Sequence, residues 1–95
     1  MNVIGANVLS DYGEKHPKAL PTLRALHALV TQARWVERGD VERECGAIAS
    51  FDNDGRLDLD LSDSGCRVAL SIHYGLGVVR ILAVTALETT KREGP

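Results

Sequence analysis

The sequence predicts an α+β fold in which N-terminal helices pack on one face of a small antiparallel sheet. Three observations carry this expectation. Apolar residues recur at helical spacing through the first half of the chain, the period changes to two from residue 47, and the strand-like segments then follow one another with turn residues between them. With 95 residues the chain is read as a single domain over 1–95, large enough for one modest core. Hydrophobic residues make up 44% and charged residues 25%, a composition that folds rather than stays disordered.

The opening "MNVI" is short and apolar and reads as a strand-like turn. Val8, Leu9 and Tyr12 then share a helical face, and "KHP" stops it, giving a helix over about 6–15. In "PKALPTLRALHALVTQARW", Leu23, Leu26, Val30 and Ala33 form one stripe of a second, amphipathic helix. Pro17 suits its first turn, but Pro21 would then lie too deep and lose a hydrogen bond, so its start stays open between the two prolines.

A third, short helix is expected in "ERGDVERECG", with Gly39 as breaker, Asp40 as N-cap and Gly46 as stop. Its charges form a solvated face. "RLDLDL" alternates strictly, which turns Leu57, Leu59 and Leu61 inward and Asp58 and Asp60 outward. The preceding "FDNDG" resembles part of a calcium loop, but the twelfth position would be Leu61 rather than an acid, so a hairpin turn at Asn53 to Gly55 is preferred. "SDSG" makes the next turn, and two strands follow at about 66–74 and 77–84. The tail "TALETTKREGP" is expected to form at most a short helical turn.

Several function classes are set aside by composition. No apolar run reaches the length of a membrane span, and the N-terminus lacks a signal peptide's basic and apolar regions, so the expected location is the cytoplasm. Cys45 and Cys66 have no CxxC partner or histidine at ligand spacing, and are expected to be buried free thiols rather than a metal or redox site. No nucleotide-binding, hydrolase or metalloprotease motif is present, and no cofactor is expected. The net charge of −2 excludes nucleic-acid binding by bulk electrostatics and leaves it to a local basic face.

Such a face is suggested by "CRVALSIHYGLGVVRILAV". Val68, Leu70, Ile72 and Tyr74 point one way, and Arg67, Ala69, Ser71 and His73 the other. In "GVVRILAV" the parity is less decisive, and both faces read as covered. Arg67 and Arg80 therefore hold either a ligand or a carboxylate partner, with Asp58, Asp60 and Glu88 as candidates for the latter.

The order of "MNVI", Leu9, "EKHP" at 14–17, Leu23, Trp35, "DV" at 40–41, "RLDLDL", "CRVALSIHYGLGVVRI" and Val84-Thr85 resembles the HigB family of bacterial toxins, members of the RelE-like superfamily, over nearly the whole chain. The resemblance implies a RelE-like α+β toxin of a type II toxin-antitoxin system that cleaves mRNA on the ribosome. Its implied partner is a helix-turn-helix antitoxin of the HigA type, with a heterotetramer as the candidate assembly. It also implies that Arg67 and Arg80, with Lys15, hold RNA phosphate, and that Lys15 and His16 add to the basic or antitoxin-facing surface.

Relatives commonly end the last strand with T-H-x-E-Y, where this chain has Thr85-Ala86-Leu87-Glu88-Thr89. The family's histidine and tyrosine are thus absent. Proton transfer is left to His73 and Glu88 as candidate catalytic residues, with the ribosome helping to position the RNA. The alternative function is a catalytically inactive toxin-like module that binds the antitoxin and tunes repression.

Overall fold

The chain runs through strand β1 (Asn2–Ile4), helices α1 (Ala6–Lys15), α2 (Leu20–Gln32) and α3 (Arg38–Cys45), and strands β2 (Ala49–Phe51), β3 (Arg56–Leu61), β4 (Cys66–His73) and β5 (Val78–Ala86). These assignments come from a computed structural model, which describes residues 1–87. The expected helical turn at the C-terminus is replaced as far as Ala86 by the continuation of β5, and the rest of that segment, from residue 88, lies outside the described residues.

The two prolines of the second helical segment each open their own element. Pro17 begins a single 3₁₀ turn, Pro17–Ala19, and Pro21 sits in the first turn of α2, where a missing N–H costs nothing. Leu23, Leu26 and Val30 then face the core, as their spacing predicts. At the end of α2 the C-cap Ala33 N–H donates to Val30 O at 3.1 Å. The Met1 ammonium adds donors there, to Val30 O at 3.4 Å and to Thr31 O and Ala33 O at 2.9 Å each.

In α3 the cap differs from the sequence expectation. Glu37 is the N-cap and Asp40 the third helical residue, the two forming a capping box. Asp40 Oδ2 accepts from Val36 N at 2.8 Å and Glu37 N at 3.3 Å, and Arg43 pairs with Oδ1. Val41 and Cys45 are the buried residues of this helix, while its charges stay in solvent. Trp35, just before it, is buried and donates its indole N–H to Glu44 Oε1 at 3.2 Å.

The five strands form one sheet in the order β1-β5-β4-β3-β2. β2 to β5 are antiparallel meander neighbours, as expected, but β1 joins β5 in parallel, pairing Val3 with Val79. The sheet is therefore mixed. Parallel pairing needs a long crossover, which the intervening helices and strands provide. Gly5 turns the chain from β1 into α1 at φ +89°, and a Cβ there would lie 2.8 Å from Ile81 O, so this joint accepts only glycine.

One sheet face meets the helices. Leu57 and Leu59 of β3, Cys66, Val68 and Leu70 of β4, and Val79 and Ile81 of β5 are buried with Leu9, Leu23, Leu26, Val30, Trp35 and Val41. Both cysteines are buried free thiols, and burial pushes each thiol's pKa up. No helix among the described residues is long and apolar enough to cross a membrane.

Leu70 is fully enclosed, whereas Leu76 in the β4–β5 turn is 77% exposed. Leu70→Ala should cost about 2–5 kcal/mol in urea denaturation, and Leu76→Ala should stay within about 0.5 kcal/mol of wild type. The hydrogen bond from Val36 N, with Glu37 N and Arg43 adding, holds the Asp40 carboxyl below the usual carboxylate range against an opposing desolvation. The stabilisation is present above the unfolded value of about 3.9 and lost as pH falls through the lower folded value. The Tm of Asp40→Asn should accordingly fall less steeply below that pH than the wild-type Tm.

Candidate nucleic-acid interface

The face of the sheet opposite the helices is set by the alternation of β4. With Val68 and Leu70 buried, Arg67, Ala69, Ser71 and His73 emerge on the other side. The registers of β3 and β5 then arrange the open face in rows. Arg67 lies between Asp60 and Thr85, Ala69 between Asp58 and Ala83, Ser71 between Arg56 and Arg80, and His73 opposite Val78. On the far side of β5, Ile4 pairs with Arg80 and Asn2 with Val78.

The ambiguous parity of β5 has a local cause. Ala69 pairs with Ala83 and Leu70 with Ile81, so Leu82 is an extra residue opposite a break in the register, a β-bulge. Before it, Val79 and Ile81 face the core; after it, Val84 packs against the core and Thr85 turns to the open face. The expectation that both faces of β5 are covered is corrected: Arg80 and Leu82 are exposed, because no element among the described residues lies over that face.

Arg67 and Arg80 share this face and are both exposed. Four residues of β4 separate their rows, about 13 Å at about 3.3 Å per residue. His73 is exposed two residues beyond the Arg80 row, a diagonal neighbour of Arg80 at about 7–8 Å between Cα atoms. It lies six residues, about 20 Å, from Arg67. The structure thus groups His73 with Arg80 and leaves Arg67 with Asp60 and Thr85.

The ion pairs within 4.0 Å among the described residues are Arg38–Glu42 and Arg43–Asp40, both inside α3. Neither Asp58 nor Asp60 reaches Arg67 or Arg80 at that distance, although Asp60 and Arg67 are register partners. Asp60 Oδ1 is buried and has no hydrogen-bond donor among the described residues. Glu88, the third candidate partner and a candidate catalytic residue, lies outside the described residues.

Lys15 is elsewhere. It ends α1, in the helix layer, and with His16 lines a cleft near the β3–β4 turn rather than the open face. Two residues of the open face were not singled out from the sequence as functional, Arg56 and Thr85. The alternation in "RLDLDL" already puts Arg56 on the side of Asp58 and Asp60, but its place in a row with Ser71 and Arg80 depends on strand register. Among the described residues no three His, Cys, Asp or Glu side chains gather as metal ligands would.

Because both arginines are exposed and form no ion pair among the described residues, Arg67→Ala and Arg80→Ala should each leave unfolding free energy within about 0.5 kcal/mol of wild type. Chemical denaturation checks this, and a loss well above that range would mean that the guanidinium supports the fold. No protein-family model matches the chain, and no curated protein matches it.

Proposed function

We propose that the open sheet face binds an RNA strand through its phosphates, and that the protein is an mRNA-cleaving toxin of the HigB type, in the RelE-like superfamily, silenced by a HigA-type antitoxin. The reading is supported by one observation above all. Two exposed arginines share an uncovered sheet face, and neither has a carboxylate at ion-pair distance among the described residues. A planar guanidinium matches two phosphate oxygens, and it stabilises the extra negative charge of a pentacoordinate phosphorus.

The rows about 13 Å apart suit two different phosphates of one strand rather than a single shared one. Ala69, Ala83 and Ser71 between them form a low floor that leaves room for the sugar backbone. In the cleavage step a 2′-oxygen attacks the neighbouring phosphorus and forms the new P–O bond as the bond to the 5′-oxygen breaks. His73 takes the 2′-proton at the Arg80 phosphate, and the departing 5′-oxygen takes a proton from water. Asp60 stands beside Arg67 as the carboxylate of the other row.

One observation favours the second reading, a catalytically inactive module that binds the antitoxin and tunes repression. Where relatives carry a histidine this chain has Ala86, the last residue of β5, which supplies no proton-transfer group.

Primer extension on a defined message in a cell-free translation reaction tests the proposal. Wild-type protein should give discrete, ribosome-dependent cuts that the folded Arg67→Ala, Arg80→Ala double variant does not. His73→Ala should slow cleavage by about 10²–10⁴-fold, the usual contribution of a positioned general base. Absence of cuts from folded wild type, together with capture of a HigA-type antitoxin, would overturn the toxin reading in favour of the inactive module.

A further inference from the structure

A second group of basic side chains sits apart from the sheet face. Lys15, His16 and Lys18 line a cleft of about 390 Å³ between the end of α1 and the β3–β4 turn, closed by Ser64, Gly65 and Ala86. No carboxylate of the described residues lines it. Glu14, the neighbouring acid on α1, lines a different cleft between α1 and α2, with Arg24 and His27. A cation at Lys15 is what the negative end of the α1 dipole favours by itself, and His16 caps that helix through its backbone N–H on Tyr12 O, but neither gives Lys18 a structural reason.

The cleft is also held in shape. The His16 imidazole stacks on Tyr12, with ring centroids 4.2 Å apart and planes at 23°. On the opposite wall, Ser64 Oγ hydrogen-bonds the Thr22 hydroxyl of α2, tying the turn to the helix layer. Gly65 takes a positive φ of 70°, which lets the chain reverse into β4 without a side chain there. Two lysine ammoniums and an imidazole around one recess, with no acid among the described residues in its lining, offer the donors that a phosphate group accepts from.

We propose that this cleft is a phosphate-binding site distinct from the sheet face. The phosphate is either a free phosphate group or a phosphodiester within a nucleic-acid strand.

The test is an amide-shift titration of the full chain, first with inorganic phosphate and then with a short single-stranded oligoribonucleotide. Saturable shifts at His16, Lys18, Ser64 and Gly65, weakened at least about tenfold in Lys15→Gln, Lys18→Gln, are expected. Saturation with inorganic phosphate assigns a free phosphate group, and saturation with the oligonucleotide alone assigns a phosphodiester. Both side chains are exposed, so the variant should keep wild-type shifts elsewhere. Shifts that never saturate, or that are as strong in the variant, would overturn the site. Read at cleft amides rather than from cleavage, the result is decided independently of the chemistry of the sheet face.

Discussion

Burial of Val68 and Leu70 in the middle of the sheet holds β4 in one register and one orientation. Both side chains are fully enclosed, and each contributes about 1.5–3 kcal/mol by leaving water. A one-residue slip would turn them to solvent and drive Arg67 and Ser71 into the core. Exposed ion pairs are worth about 0–1 kcal/mol each, so they could not compensate. Apolar burial on one side of β4 therefore decides which polar groups appear on the other, and the neighbouring strands take their places from it.

The open face inherits its chemistry from this alternation rather than from charge pairing. Opposite charges meet in the register at Asp60 and Arg67, yet no ion pair forms between them, and one oxygen of Asp60 is buried without a donor among the described residues. A buried carboxylate oxygen without a partner is costly, and an exposed guanidinium with none among the described residues keeps its donors for another acceptor. Together they make the Arg67 row an unsatisfied arrangement, in contrast to Asp40 of α3, whose oxygens are committed to Val36, Glu37 and Arg43. The first leaves its polar groups uncommitted among the described residues, and the second commits them to a helix cap.

The bulge at Leu82 separates two requirements on β5. Its first half must pack Val79 and Ile81 against the helices while showing Arg80, and its second half must bury Val84 while showing Thr85. A strand with unbroken alternation cannot do both, because Ile81 and Val84 have opposite parity. One extra residue restores the match, leaving Leu82 itself at the surface.

Much of this was legible in the sequence, wherever local periodicity is strong. The limits of α1, the core stripe of α2, the alternation of β3 and the two faces of β4 follow from spacing alone, because each is a property of one element and one period. The α+β arrangement follows from their order. Tertiary structure decided what spacing cannot encode. The parallel pairing of β1 with β5 joins opposite ends of the chain. The N-cap of α3 moved from Asp40 to Glu37, because both residues suit a helix start and only the folded backbone selects between them. The bulge, and with it the rows that place Arg56 beside Ser71 and Arg80 and group His73 with Arg80 rather than Arg67, arises from register between strands. Register is set by how two elements pack, a quantity that no single segment carries.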